Sequence, residues 1–217
     1  MRVALLVFAA CSAPAAAVER DAALVWPRYT IAPGDHDSQL SDREPKDPTD
    51  GVTSAVGRDY ELVLDPSAVY VLTMPVEPQD QLDWNKLPGL SDCNETDLSR
   101  EGAMFGWRWN IDQAVVEITA YANNASVHLE TDPLVTLSVD DLAVTQPLHY
   151  RIAREQTDYA FSITGEINGR AIAASGTLPR RCVEVETDPL AWASGFYFGG
   201  TSTAPQTITA RIHEYAF

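Results

Sequence analysis

The chain reads as an all-β protein, an antiparallel β-sandwich, on three observations. Apolar runs are short and rich in Val, Ile, Thr and aromatic residues, the composition that fits a pleated, half-buried surface. Pro, Gly, Asn and Asp separate the runs and mark turns. No window carries a sustained helical stripe of apolar residues.

The runs are Tyr60–Leu64, Val69–Met74, Met104–Trp109, Val115–Ala122, Val135–Val139, Leu148–Ala153, Tyr159–Ile167, Arg170–Ser175, Gly195–Phe198 and Thr207–Tyr215. About ten short strands at this spacing suit a sandwich. Asn168-Gly169 is the strongest hairpin signal, because a type I′ turn needs positive φ at both central residues. Asn110–Gln113 and Ala122–Asn124 read as further turns, and Asp140–Val144 as one turn of helix. Strand alternation puts Phe105, Trp107 and Trp109 on one face, with Gly106, Arg108 and Asn110 on the other. Val116, Ile118 and Ala120 are likewise expected inside, as are Ile208, Ala210 and Ile212.

Before Tyr60 the chain differs. Residues 1–17 have the form of a signal peptide: Arg2, then the apolar run Val3–Ala10, then small residues at Ala15-Ala16-Ala17. The run is too short for a membrane anchor. Phe8-Ala9-Ala10-Cys11 offers the alternative of a lipoprotein signal ending before Cys11, which would then carry the lipid. Both alternatives predict an exported protein: periplasmic, an outer-membrane lipoprotein, or extracellular. Residues 18–57 read as an irregular segment or tether, leaving residues 58–217 as the sandwich domain.

Charge narrows the partners. With 31 Asp+Glu against 15 Lys+Arg the formal net charge is −16. Such a chain repels phosphate backbones and anionic lipid surfaces, so nucleic acid is excluded and a membrane enters only through a lipid on Cys11. Of three cysteines, export leaves Cys93 and Cys182. In an oxidising compartment these predict a disulfide, worth roughly 4–5 kcal/mol for a loop of that size in the chain-entropy model. His36, His128, His149 and His213 show no metal-ligand spacing, and no metal or cofactor is predicted, though Asp clusters such as Asp140-Asp141 are candidates for calcium.

Three clusters carry the candidate binding residues. In Asp83–Asp92, Trp84 and Asn85 combine an aromatic face with an amide beside a Pro-Gly turn, the means by which a sugar's apolar face and hydroxyl edge are held. Opposite the aromatic face of Met104–Trp109 stands Arg108, and alternation adds Glu117 and Tyr121. If the last strand shares that sheet, Arg211 and His213 join them. The third cluster, Gly195–Gly200, contributes Tyr197 before a Gly-Gly turn.

Asp83-Trp84-Asn85-Lys86-Leu87 with Gly89, Phe105-Gly106-Trp107-Arg108-Trp109, and Tyr197-Phe198-Gly199-Gly200 with Ala204-Pro205 resemble a group of exported bacterial proteins, often lipoproteins, related to the concanavalin A-like lectin and glucanase sandwiches. The resemblance spans Tyr60 to Phe217. It implies a jelly roll with a glycan-facing concave sheet, supports pairing of Cys93 with Cys182, and supplies no catalytic residue.

Non-catalytic carbohydrate binding is therefore expected, with neutral glycans favoured over polyanions by the net charge. A polysaccharide lyase or glucanase is the first alternative, and a structural or interaction module of the cell envelope the second. Retaining glucanases need carboxylates about 5–5.5 Å apart; Glu130-Thr-Asp132 and Glu186-Thr-Asp188 lack the third carboxylate, and a Pro follows each. Lyase chemistry would require Arg108, Tyr121 and His213 to converge.

Overall fold

The computed structural model describes residues 26–40, 51–53, 56–182 and 191–215. The expected signal segment, Cys11 and the Glu186-Thr-Asp188 motif lie outside them.

Two antiparallel sheets pack face to face. One has seven strands: β1 (Arg28–Ile31), β2 (Ser38–Leu40), β4 (Gly57–Leu64), β11 (Leu148–Arg154), β12 (Asp158–Ile167), β13 (Arg170–Pro179) and β15 (Ile208–Glu214). Their order is β13-β12-β11-β4-β15-β1-β2. The other has eight: β3 (Gly51–Thr53), β5 (Asn85–Lys86), β6 (Gly89–Ser91), β7 (Glu101–Asn110), β8 (Val115–Asn124), β9 (Val127–Glu130), β10 (Val135–Ser138) and β14 (Ala191–Ser194). There the order is β10-β8-β7-β6-β14-β3, with β5 beside β7 and β9 beside β8. This is the jelly-roll sandwich expected.

The core lies between the sheets and is strongly aromatic. Phe105, Trp107 and Trp109 face it from β7; Val116, Ile118 and Ala120 from β8; Ile208, Ala210 and Ile212 from β15. Edge-to-face contacts knit the rings: Phe105 meets both Tyr150 and Phe161 at 5.2 Å between centroids. Such pairs add to what area burial alone contributes.

Several local expectations need correction. Val69–Met74 is not a strand. The Gln81 side chain stands in for a neighbouring strand, accepting from Leu72 N at 2.8 Å and donating to Tyr70 O. Gly195–Phe198 is reduced to an isolated bridge at Tyr197, and the strand precedes it as β14. The segment read as irregular supplies β1, β2 and β3, so sheet pairing begins well before residue 58. Asn168 and Gly169 take φ of 50° and 74°, the hairpin geometry anticipated. The turn after β8 falls at Ala125-Ser126, both at positive φ, one residue beyond the expected Asn124. A single helical turn, α1 (Val139–Leu142), is closed by a capping box between Ser138 and Asp141.

The two sheets are clamped at one end by Asp92. Its carboxylate lies in the interior at the end of β6 and accepts from Arg154 Nη1 at 2.9 Å, Arg180 Nη2 at 3.0 Å and Tyr159 Oη at 2.9 Å. Those three residues come from the seven-stranded sheet or its exit. Cys93, next in sequence, forms the disulfide with Cys182 at a Cα separation of 5.6 Å. Arg181, between Arg180 and Cys182, pairs with Glu101. Burial works to raise the Asp92 pKa, but the Arg180 bond, the Cys93 amide and Arg154 outweigh it, so the carboxyl sits below its ordinary value.

Removing that carboxylate would strand two buried guanidinium groups, a loss of about 3–5 kcal/mol. Asp92→Asn is expected to lower the melting temperature sharply at neutral pH. Because the folded-state pKa is depressed, this stabilisation is complete above the unfolded value of about 3.9 and disappears as pH falls through the folded value. Melting curves from pH 7 to 3 should show the wild type converging on the variant in acid; parallel curves would reject the clamp.

Candidate functional site

The eight-stranded sheet turns its outer face to a groove of about 620 Å³. Strand parity decides what lines it. Asn85 pairs with Trp107 and Lys86 with Gly106; Trp107 points into the core, so Asn85 does too, and Lys86 must point out. The inward amide is bonded at both ends: Asn85 Nδ2 donates to Tyr70 Oη at 3.0 Å and Gly199 N donates to Asn85 Oδ1 at 2.8 Å. Backbone bonds between Lys86 and Tyr197, 2.8 and 3.0 Å, set Tyr197 beside the lysine. Gly199 is required here, because a Cβ on it would fall 2.1 Å from Trp84 O.

Lys86 Nζ lies 3.8 Å over the centre of the Tyr121 ring and donates to Trp84 O at 2.6 Å. Tyr121 is also stacked with His128, with centroids 5.5 Å apart and rings 2° from parallel. Ammonium and imidazole thus both meet the phenol ring, and all three side chains line the groove. Tyr197 is itself stacked on His36 at 5.4 Å. Asp37, Asp97, Ser99, Asn123 and Ser126 contribute polar groups around the opening.

The environment alters the floor. Burial lowers the Lys86 pKa to about 8, against the opposing pull of Asp83 and Glu130. Burial, then the charges of Glu130 and Asp83, raise Tyr121 to about 12. Tyr197 is also raised, by burial and by Asp37. Near neutral pH the phenols stay protonated while the lysine is poised to exchange its proton.

The sequence-derived candidates divide into three sets. Tyr121 and Tyr197 line the groove. Trp84, Asn85, Arg108 and Glu117 lie under or beside it and are occupied internally. The Arg108 guanidinium stacks 3.9 Å from the Trp84 ring centre, Arg108 Nε donates to Glu117 Oε2 at 2.7 Å, and Asn110 Nδ2 holds Glu117 Oε1 at 2.8 Å. Trp84 and Glu117 are buried. Gly106 leaves room for the indole, since a Cβ there would lie 3.2 Å from Trp84 Cε3. Arg211 and His213 belong to β15 and so to the opposite sheet, where His213 stacks on Trp26. The convergence of Arg108, Tyr121 and His213 that the lyase alternative would require does not occur.

Lys86 and His128 were the residues missed. Lys86 sits in a motif already singled out, and its pairing with the Phe105–Trp109 strand was the absent piece. His128 reaches Tyr121 because β9 folds back on β8, pairing Asn123 with His128 and Tyr121 with Glu130. Among the described residues no group of three or more His, Cys, Asp and Glu is arranged to hold a metal ion. Asp141 of the calcium candidate is engaged by Ser138 N, Asn168 Nδ2 and Arg170.

No protein-family profile matches the chain, and no curated protein matches it in sequence. Similar solved structures include the alginate lyase vAL-1 from Chlorella virus, at 9% identity and TM-score 0.44 over 86% of this chain and 81% of that one. The alginate lyase from Klebsiella pneumoniae has 13% identity and TM-score 0.46, over 74% of this chain and 60% of that one. Sheep galectin-11 has 14% identity and TM-score 0.28, over 76% and 99%. No residue role is transferred at these identities.

The two lysines, Lys46 and Lys86, make the floor directly observable. An NMR titration of ¹³C-labelled lysine, with the Lys86 signal assigned by its loss in Lys86→Met, should show Lys86 with a midpoint of about 8, below the ordinary lysine value of about 10.4. Between those values the folded state binds fewer protons than the unfolded one, so Lys86 makes stability rise with pH across that window and costs most below it. An ordinary midpoint for Lys86 would refute this environment.

Proposed function

We propose that this is an exported glycan-binding protein, and that the groove over Lys86, Tyr121 and Tyr197 holds the sugar. The observation that carries the reading is the Lys86–Tyr121–His128 stack at the floor of a groove edged by Asp37, Asp97 and Asn123. Sugars present an apolar CH face and a hydroxyl rim. Aromatic surface answers the first, while carboxylates, amides and an ammonium answer the second. His128 keeps most of its side chain in solvent, leaving its outer ring face for a pyranose to pack on.

Charge supports neutral glycans. Two aspartates line the groove against one lysine, on a chain of net charge −16; a polyanion would meet repulsion along most of its length. The resemblance to exported concanavalin A-like proteins, and a leader with either an Ala17 processing site or a lipidated Cys11, support a location outside the cytoplasm.

A second reading is favoured by one contact. Lys86 lies against Tyr121, with the amine at about 8 and the phenol at about 12. A neutral Lys86 could remove the proton α to a uronate carboxyl while Tyr121 protonates the departing glycosidic oxygen, the chemistry of a polysaccharide lyase. Release of unsaturated product from uronate polymers would select this reading over simple binding.

Binding is tested on a glycan array and by calorimetry. Tyr197→Ala and Lys86→Met are expected each to weaken neutral-oligosaccharide binding by about tenfold or more, roughly 1.4 kcal/mol. Lys86→Met should leave the melting temperature unchanged or higher, because it removes a buried charge. Undiminished binding in both variants would place the site elsewhere.

A further inference from the structure

We infer that the ligand of the groove is a neutral glycolipid, its sugar in the groove and its hydrocarbon chain on an apolar surface alongside; this rests on the glycan reading of the groove. Val71, Met74, Val76, Leu82 and Ile111 form that surface. All five are exposed, Met74 at 90% and Val76 at 67%, and large apolar side chains left together in water mark a contact surface. They come from three segments that Gln81 draws together. Its side chain accepts from Leu72 N at 2.8 Å and donates to Tyr70 O and Trp109 O, each at 3.4 Å. Val71 lies between the first two partners, Leu82 follows Gln81, and Ile111 is two residues beyond Trp109.

The apolar surface joins the groove at two points. Val76 N donates to Ser202 Oγ at 2.8 Å, and Thr201 Oγ1 donates to Asp80 Oδ2 at 2.9 Å; the residue before them, Gly200, lines the groove. Elsewhere Leu82 O accepts from Arg108 Nη1 at 2.8 Å, Arg108 stacks on Trp84, and the Trp84 carbonyl holds Lys86 Nζ on the groove floor. The chemistry of the surface suits hydrocarbon. Backbone donors of the loop turn to the protein: Leu72 N to Gln81, Val76 N to Ser202 and Glu77 N to Asp80. The valine, methionine, leucine and isoleucine side chains left outside offer no hydrogen-bonding donor of their own. What covers them gains by leaving water, in proportion to apolar area, and a flexible methionine adapts to a chain of no fixed shape. Charge suits a neutral headgroup. Glu77 follows Val76 and Asp83 follows Leu82, adding to Asp37 and Asp97 of the groove, so a phosphate or sulfate head would be repelled.

The test is calorimetry on the full chain with maltose, lactose and cellobiose, with the dodecyl glycoside of each below its micelle concentration, and with dodecyl octaethylene glycol ether as hydrocarbon without sugar. At least one dodecyl glycoside is expected to bind about tenfold or more tightly than its free disaccharide, and more tightly than the ether. The double variant Met74→Ser with Val76→Ser should erase that gain. It should leave affinity for the free disaccharide and the melting temperature unchanged, because both side chains already stand in solvent. Tyr197→Ala should weaken the free sugar and its glycoside alike. If a free disaccharide binds but its glycoside binds no better, or the gain survives in the double variant, the glycolipid assignment is overturned and the glycan reading stands. If the ether binds as well as every glycoside and Tyr197→Ala changes nothing, the surface takes hydrocarbon alone and both fall. Binding by none of the probes also overturns the assignment, and the glycan array then decides the groove reading separately. A dimer in light scattering that the double variant abolishes would give the surface to a second copy of this chain and overturn the assignment.

Discussion

The site depends on one buried amide. Asn85 lies in the core between Tyr70 and Gly199, where an unpaired polar group would cost about 1–3 kcal/mol. Holding it there fixes the parity of a two-residue strand, and parity forces Lys86 to the opposite face. The same amide draws in the Gly199 turn, which brings Tyr197 alongside Lys86. Three segments distant in sequence, Asp83–Leu87, Met104–Tyr121 and Gly195–Gly200, thereby meet on one surface.

A second layer of constraint keeps that surface in shape. Thr96–Ser99 edge the groove, and the root of this loop is held by Asp92 and by the Cys93–Cys182 disulfide. Asn123 Nδ2 holds the far side of the loop through Leu98 O at 2.7 Å. Below, Trp84 packs on Arg108, which Glu117 and Leu82 O anchor in turn. The supporting and the lining residues are thus partly separate: Trp84, Arg108 and Glu117 brace the groove, whereas Tyr197, Lys86, Tyr121 and His128 line it. The lysine is the member whose burial works against stability.

What was legible in the sequence follows from the physics of strands. Alternation reports which side of its own strand a residue occupies, so the inward Phe105, Trp107 and Trp109, and the shared outer face of Arg108, Glu117 and Tyr121, could be read directly. Alternation does not report which sheet a strand joins. His213 and Arg211 were correctly placed on an outer face, yet β15 pairs with β4 and β1, so that face is the other one. Lys86 and His128 escaped because strands of two and four residues leave almost no periodic trace, and their position follows from long-range pairing. Val69–Met74 misled for the converse reason: its composition suits a strand, but a glutamine side chain supplies the bonds a neighbour would have made.

Hydrogen–deuterium exchange with and without an extended neutral oligosaccharide tests whether the groove over Lys86, Tyr121 and Tyr197 holds the sugar, since it reads the whole surface at once. Slowed exchange is expected in residues 84–87, 119–130 and 194–200, with β11 and β15 unchanged. Protection confined to β11 and β15, or none in the groove segments at saturating sugar, would contradict it.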